Sequence, residues 1–251
     1  MRDAAVGFHC PDCVAEARKS VRQPRTMSGG AVSADAGRIS FVLIAINVAV
    51  FLLQLATSPQ DPRSESGLVD ALGTMDPTAV AGGEYWRLLT GEFLHASPLH
   101  LLLNMVALYM FGPAAERALG GIRFIASYLT MAIAASTFVL VLDGGPTVGA
   151  SGAIFGLFGL VFVLMIKVGQ DVRSLLVLLV INGLISLQAS ISWQAHLGGF
   201  LTGIALGVVF AYAPRASRNL WQALAFAALW ALIIAGVLIH TAALTSGITL
   251  V

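Results

Sequence analysis

Residues 149–168 read GASGAIFGLFGLVFVLMIKV, a stretch with a single charged side chain, Lys167, close to its end. It is long enough to cross the roughly 30 Å hydrocarbon core of a bilayer as one helix, which takes about 20 apolar residues. Comparable stretches recur along the chain, too many for the core of one soluble domain. The sequence therefore predicts a membrane protein with several transmembrane helices.

The composition of the whole chain favours the same class. Hydrophobic residues make up 57% of the 251 residues and charged residues 11%, whereas soluble domains carry about 25% charged residues. We predict an all-α polytopic membrane protein with about seven transmembrane helices, in which a cytoplasmic segment 1–38 precedes a membrane domain 39–245. The predicted spans are 39–57, 98–113, 122–142, 150–168, 174–191, 195–213 and 220–242.

The positions of the 14 basic residues predict the orientation of the spans. If the N-terminus is cytoplasmic, twelve of the 14 lie on the cytoplasmic side and only Arg63 and Arg87 lie outside. This bias is what the positive-inside rule expects, and the opposite orientation would invert it. We therefore predict a multi-pass protein of the plasma membrane with a cytoplasmic N-terminus and, after seven crossings, an external C-terminus.

Five polar side chains lie at the start of three alternate spans: His95, His100 and Asn104 in span two, Ser151 in span four and His196 in span six. Because these three spans run in the same direction, from outside to inside, the five side chains fall at a common depth in the outer half of the membrane. Polar groups in the hydrocarbon cost free energy, so their presence at one depth indicates a functional site.

The spacing of these residues suggests their roles. His100 and Asn104 are four residues apart and share one face of their helix, so two hydrogen-bond donors point the same way. Ser151 follows Gly149 at a predicted helix N-terminus, where unpaired N–H groups and the helix dipole favour a developing negative charge. Phe155 lies one turn further on the same face and can stack on a neighbouring imidazole ring.

Glycines at intervals of three or four residues predict close packing of span four against span six. Small residues at such intervals let membrane helices approach backbone to backbone. This packing would bring Ser151 within hydrogen-bonding reach of His196, about 2.6–3.2 Å. No Asp or Glu lies at this depth in either span, so a Ser–His dyad is the simplest constellation. The glycines are Gly152, Gly156, Gly159, Gly199, Gly203 and Gly207.

Together these motifs resemble those of the rhomboid family of intramembrane serine proteases. The resemblance covers residues 38–245 and implies a rhomboid-like helical bundle, in which the C-terminal seventh span is an addition to a six-helix core. The matching segments are HASPLH at 95–100 followed by Asn104, GASG at 149–152, AHLGG at 195–199, Trp86-Arg87, Gly112, Glu116-Arg117 and Gly120.

The resemblance implies a serine endopeptidase that cleaves transmembrane segments of client membrane proteins near the outer membrane face. Ser151 would attack the scissile carbonyl after His196 takes its proton, and His100, Asn104 and the Ser151 backbone N–H would form the oxyanion hole. The implied partners are single-span membrane proteins in the lipid bilayer, with no nucleic acid and no metal or organic cofactor. The residues expected to support the site are Gly149, Phe155 and His95.

Two other functions remain open at this point. A non-catalytic rhomboid-like protein would bind transmembrane clients without cutting them. Such proteins usually lack the residue that corresponds to Ser151 or the one that corresponds to His196. A secondary transporter would show an internal repeat and ionisable residues along a whole pathway, whereas here they stop in the outer half. For His95 alone we favour a structural role, tying the external loop to span two.

A Cys-x-x-Cys pair, Cys10 and Cys13 with His9 beside it, lies in the N-terminal segment. Such a pair can be half of a zinc site, and a closed structural site takes four ligands. The surrounding stretch resembles the tail of a small zinc-binding module that precedes some bacterial rhomboid domains. We expect at most a partial site here and no bound metal.

Overall fold

The computed structural model describes residues 2–3, 8–20, 25–32, 37–58, 67–188 and 191–246. The N-terminal segment contains two short antiparallel strands, β1 (Arg2–Asp3) and β2 (Phe8–His9), followed by the helix α1 (Pro11–Ser20). The other regular elements of the described residues are helices, and five of these are long and apolar enough to cross a membrane. The predicted all-α polytopic membrane fold is thus confirmed.

The membrane domain is built from apolar helices in the order of the predicted spans. Two of them, the fourth and fifth, are shorter than the others. The fifth helix ends at Ile185, before the predicted end of its span, where the sequence turns polar at Ser186 and Gln188. The bounds are α2 (Arg38–Thr57), α6 (Pro98–Leu119), α7 (Gly121–Val141), α8 (Ser151–Lys167), α9 (Arg173–Ile185), α10 (Trp193–Tyr212) and α11 (Arg218–Ser246).

Helix α8 lies at the centre of the bundle and packs most extensively on α10, with further contacts to α7 and α6. A Cβ added to Gly199 would overlap the carbonyl oxygen of Gly152, and one added to Gly203 would overlap that of Gly156. The two backbones are therefore in direct contact, as the glycine spacing predicted. This contact sets the distance between the first turns of α8 and α10.

The outer surface of the bundle is apolar. Large aliphatic side chains are exposed on α2, α6, α9 and α11, for example Leu103 at 62% and Leu232 at 70%. Soluble monomers rarely expose continuous apolar surface of this extent. In a bilayer these side chains contact lipid tails, which are as apolar as leucine itself.

The long connection between α2 and α6 is structured over residues 67–97. It contains α3 (Leu68–Gly73), α4 (Pro77–Ala81), α5 (Arg87–Thr90) and a 3₁₀ turn at Gly91–Phe93. Arg87 is buried, pairs with Glu84 at 2.6 Å and donates to the carbonyl oxygens of Thr74 and Ala71. Arg87 therefore holds the parts of this connection together.

This connection also contacts the segment that leads into α8. Met75 and Thr147 form a two-way backbone bridge, and the N–H of Gly149 donates to the carbonyl oxygen of Gly91 at 2.9 Å. The backbone just before Ser151 is thus held by hydrogen bonds to the connection between α2 and α6 as well as by helix packing.

Candidate active site

The structure places Ser151 and His196 side by side. Ser151 is the first residue of α8 and His196 the fourth residue of α10. The Ser151 Oγ lies 2.8 Å from His196 Nε2. The imidazole ring stacks on Phe155, with ring centroids 4.0 Å apart and planes 9° from parallel. An activated serine nucleophile requires a hydroxyl that is hydrogen-bonded to an imidazole whose orientation is fixed by a neighbouring group.

His100 and Asn104 lie against Gly149, two residues before Ser151. A Cβ on Gly149 would come within 2.6 Å of His100 Cε1 and 3.7 Å of Asn104 Nδ2. Gly149 also has a φ of +126°, in the region that L side chains rarely adopt. Glycine is needed here for both reasons, and its lack of a side chain lets both donors approach the backbone at the start of α8.

Both side chains offer an N–H donor toward this backbone. His100 Nδ1 accepts from the backbone N–H of Ala96 at 3.4 Å, so in the neutral ring the proton belongs on Nε2. Asn104 Nδ2 is buried and has no hydrogen-bond partner within the described part of the chain. Leaving a buried donor unpaired costs roughly 1–3 kcal/mol, a cost that a transient acceptor beside Ser151 would remove.

His95 is buried in the same region and contacts both α2 and α6. Its backbone N–H donates to Gln54 Oε1 of α2 at 3.0 Å. Its ring packs edge-on against His100, with centroids 5.2 Å apart. Burial, with a smaller contribution from His100, lowers the pKa of His95 to about 4, which keeps the ring neutral.

Ser186 was not expected at this site. It follows the end of α9, is 4% exposed, and its Oγ lies 2.5 Å from His196 Nδ1. The site predicted from the sequence drew on the even-numbered spans only, whereas Ser186 lies at the end of an odd-numbered span. The available signal was a polar pair one helical turn apart, Asn182 and Ser186, in the second half of predicted span five.

A buried carboxyl group, Glu92, lies at the N-terminus of α8. One oxygen accepts from the backbone N–H of Ala153 at 3.3 Å and the other from Ser136 Oγ at 3.4 Å. A Cβ on Gly152 would lie 3.1 Å from the Glu92 carboxylate. Burial raises the pKa of Glu92 to about 8, and the two hydrogen bonds offset only part of this effect. The sequence places no carboxylate at this depth in spans four and six, and Glu92 comes instead from the connection between α2 and α6.

We expect stability to fall with rising pH because of Glu92. Its folded-state pKa of about 8 lies above the ordinary value of 4.5. The stabilisation that protonated Glu92 contributes to the folded state is therefore complete below pH 4.5 and is lost as the pH rises through 8. Glu92→Gln keeps the shape and cannot ionise. Thermal unfolding in detergent at pH 5.5 and 9 should show a smaller loss for Glu92→Gln than for wild type, while Asp171→Asn, at an exposed acid, behaves like wild type. Equal losses in all three proteins would contradict this role.

The Cys10 and Cys13 thiols lie free on the surface at the start of α1. Over the described residues, no three His, Cys, Asp or Glu side chains are grouped so that they could hold a metal ion.

Comparison with known proteins relates the chain to one family. A family model described as "Rhomboid domain" matches residues 82–213, which include every residue placed at the site. The chain is 34% identical over 170 residues to Rhomboid protease GluP of Bacillus subtilis, covering 65% of this chain and 33% of that protein. It is 38% identical over 135 residues to Putative rhomboid protease YdcA of the same organism, covering 51% of this chain and 68% of YdcA.

A longer match joins the chain to Rhomboid protease AarA of Providencia stuartii. The two are 27% identical over 237 residues, which cover 79% of this chain and 80% of AarA. Coverage differs between relatives, since the chain spans only about a third of GluP.

Proposed function

Because the chain belongs to the rhomboid family, we propose that it is a serine endopeptidase that cleaves transmembrane segments of other membrane proteins within the bilayer. The observation that carries this proposal is the 2.8 Å contact between Ser151 Oγ and His196 Nε2. The matches to GluP and AarA, each named a rhomboid protease, support the same activity.

The proposed reaction begins with attack of Ser151 Oγ on the scissile carbonyl carbon while His196 Nε2 takes the hydroxyl proton. The carbonyl oxygen becomes an oxyanion, which accepts hydrogen bonds from the Ser151 backbone N–H, His100 Nε2 and Asn104 Nδ2. The C–N bond then breaks as the imidazolium gives its proton to the leaving amine. Water, deprotonated by His196, hydrolyses the acyl-enzyme, and the proton returns to Ser151.

The cut is proposed to lie near the outer membrane face, with the N-terminus of the protein in the cytoplasm. Ser151, His100 and His196 all lie within the first four residues of their helices, at the same end of three helices that run in parallel by connectivity. The bias of twelve basic residues to the opposite side supports an external position for these ends.

A topology reporter tests the orientation. A reporter inserted between α8 and α9, within 167–173, is expected to be cytoplasmic, and one inserted between α7 and α8, at 144–146, external. The opposite pattern would place the site at the inner face and contradict the proposed site of cleavage.

Cleavage requires an extended client segment, yet a transmembrane helix has its backbone N–H and C=O groups already paired. The preferred client is therefore a single-span protein whose outer end carries helix-breaking Gly or Pro, with a small residue at the cut. Purified protein in liposomes should release a fragment of such a client, and mass spectrometry should place the cut near the outer end. Binding of several clients without cleavage would favour the non-catalytic rhomboid-like function instead.

A further inference from the structure

We propose that Ser186 is a positioning residue that fixes the tautomer of His196 and thereby prepares Ser151 for attack. The inference rests on the proposed function, since it concerns the same nucleophile and base. It goes beyond a Ser–His dyad because it gives the second ring nitrogen of His196 a defined partner on a third helix end.

The hydrogen-bond directions follow from the atoms present. Ser186 Oγ lies 2.6 Å from the carbonyl oxygen of Asn182. A carbonyl oxygen can only accept, and a serine hydroxyl has a single hydrogen, so that hydrogen points to Asn182. The contact of 2.5 Å between Ser186 Oγ and His196 Nδ1 must then be donated by the ring, as Nδ1–H to Oγ.

This assignment determines the other side of the ring. A neutral imidazole carries one proton, so with Nδ1 protonated Nε2 has a free lone pair. The hydroxyl of Ser151 therefore donates to Nε2 across their 2.8 Å contact. That is the only tautomer in which His196 can take the proton of Ser151. When Nε2 becomes protonated, Ser186 Oγ still accepts from Nδ1 and so stabilises the imidazolium.

The surroundings strengthen the effect of this one contact. Ser186 and His196 are both buried, so solvent does not readily replace the serine as a partner for Nδ1. The Phe155 ring fixes the plane of the imidazole, but stacking cannot distinguish the two tautomers. Ser186 alone, among the described residues, contacts Nδ1 by a hydrogen bond.

The test uses the full chain in detergent and measures the rate at which a fluorophosphonate probe labels Ser151. Ser186→Ala should label about tenfold more slowly than wild type, roughly the effect of one lost hydrogen bond. Ser186→Thr, which keeps the hydroxyl, should recover most of the rate. The matched control is Ser127→Ala, because Ser127 is buried and likewise donates to the carbonyl four residues earlier, at 2.7 Å from Arg123, but lies away from the site.

A second measurement reads the tautomer directly. In protein labelled with ¹⁵N-histidine, the His196 signals, identified by their absence in His196→Ala, should show protonated Nδ1 and unprotonated Nε2 in wild type. Ser186→Ala should move both signals toward the average of two tautomers, an effect that loss of packing alone would not produce. Ser127→Ala should leave both signals in place.

The outcomes separate the two proposals. If the probe does not label wild-type Ser151, the proposed function fails. If wild type is labelled and Ser186→Ala matches it in rate and in ¹⁵N signals, the role of Ser186 is overturned. A slower Ser186→Ala with unchanged ¹⁵N signals also overturns it, since the serine would then act through packing only.

Discussion

Ser151→Ala is expected to abolish cleavage of a single-span client, and His196→Ala to reduce it almost as far. Ser151→Ala lacks the only oxygen that lies within hydrogen-bonding distance of His196 Nε2 in the described structure. Loss of a nucleophile or base of this kind lowers kcat by roughly 10⁴-fold or more in serine proteases. The measurement is fragment release in liposomes, followed with time at saturating client.

A graded variant shows whether the loss comes from chemistry. Asn104→Ala removes one proposed oxyanion donor and leaves the dyad intact, so it should slow cleavage by up to roughly 10²–10³-fold without abolishing it. Ser127→Ala serves as the neutral control, and all four proteins should retain similar thermal unfolding temperatures. Cleavage that survives Ser151→Ala would assign the nucleophile to another residue.

The helical membrane fold could be predicted because its signals are local. A bilayer demands long apolar helices with internally paired backbones, and that requirement is visible in any window of about 20 residues. The packing of α8 on α10 was also predictable, because the contact is visible in the sequence as glycines spaced four residues apart on each helix: Gly152, Gly156, Gly199 and Gly203. The juxtaposition of Ser151 and His196 in the structure follows from that contact.

Ser186 and Glu92 could not be placed in the same way because their positions depend on tertiary structure. Ser186 belongs to a span that runs opposite to α8 and α10, and its contact with His196 depends on where the C-terminal end of α9 lies relative to α10. Glu92 belongs to the connection between α2 and α6, whose fold brings its carboxyl group to the N-terminus of α8 through Arg87 and the bridge between Met75 and Thr147. Neither relation leaves a periodic pattern in the sequence.

The backbone contact between α8 and α10 has a direct consequence for the site. The first turn of α10 carries His196, and Gly199 follows it by one turn, against the carbonyl oxygen of Gly152. Since α8 and α10 are regular helices, a side chain at Gly199 or Gly203 can be accommodated only if the two backbones separate. A separation near 1 Å would move His196 Nε2 and Ser151 Oγ out of hydrogen-bonding range.

Gly199→Ala and Gly203→Ala are therefore expected to lower both stability and activity. Overpacking of a core typically costs about 1–3 kcal/mol, which should appear as a lower unfolding temperature in detergent, and cleavage should fall further than stability explains. Gly183→Ala is the matched control, because Gly183 also lies within a membrane helix but a Cβ there meets no atom within 4 Å. Without a clash, alanine in a helix interior is favoured over glycine by roughly 0.5–1 kcal/mol, so Gly183→Ala should be neutral or stabilising. Equal losses of stability and cleavage in all three variants would show that the geometry of the dyad depends on helix flexibility and not on the contact between α8 and α10.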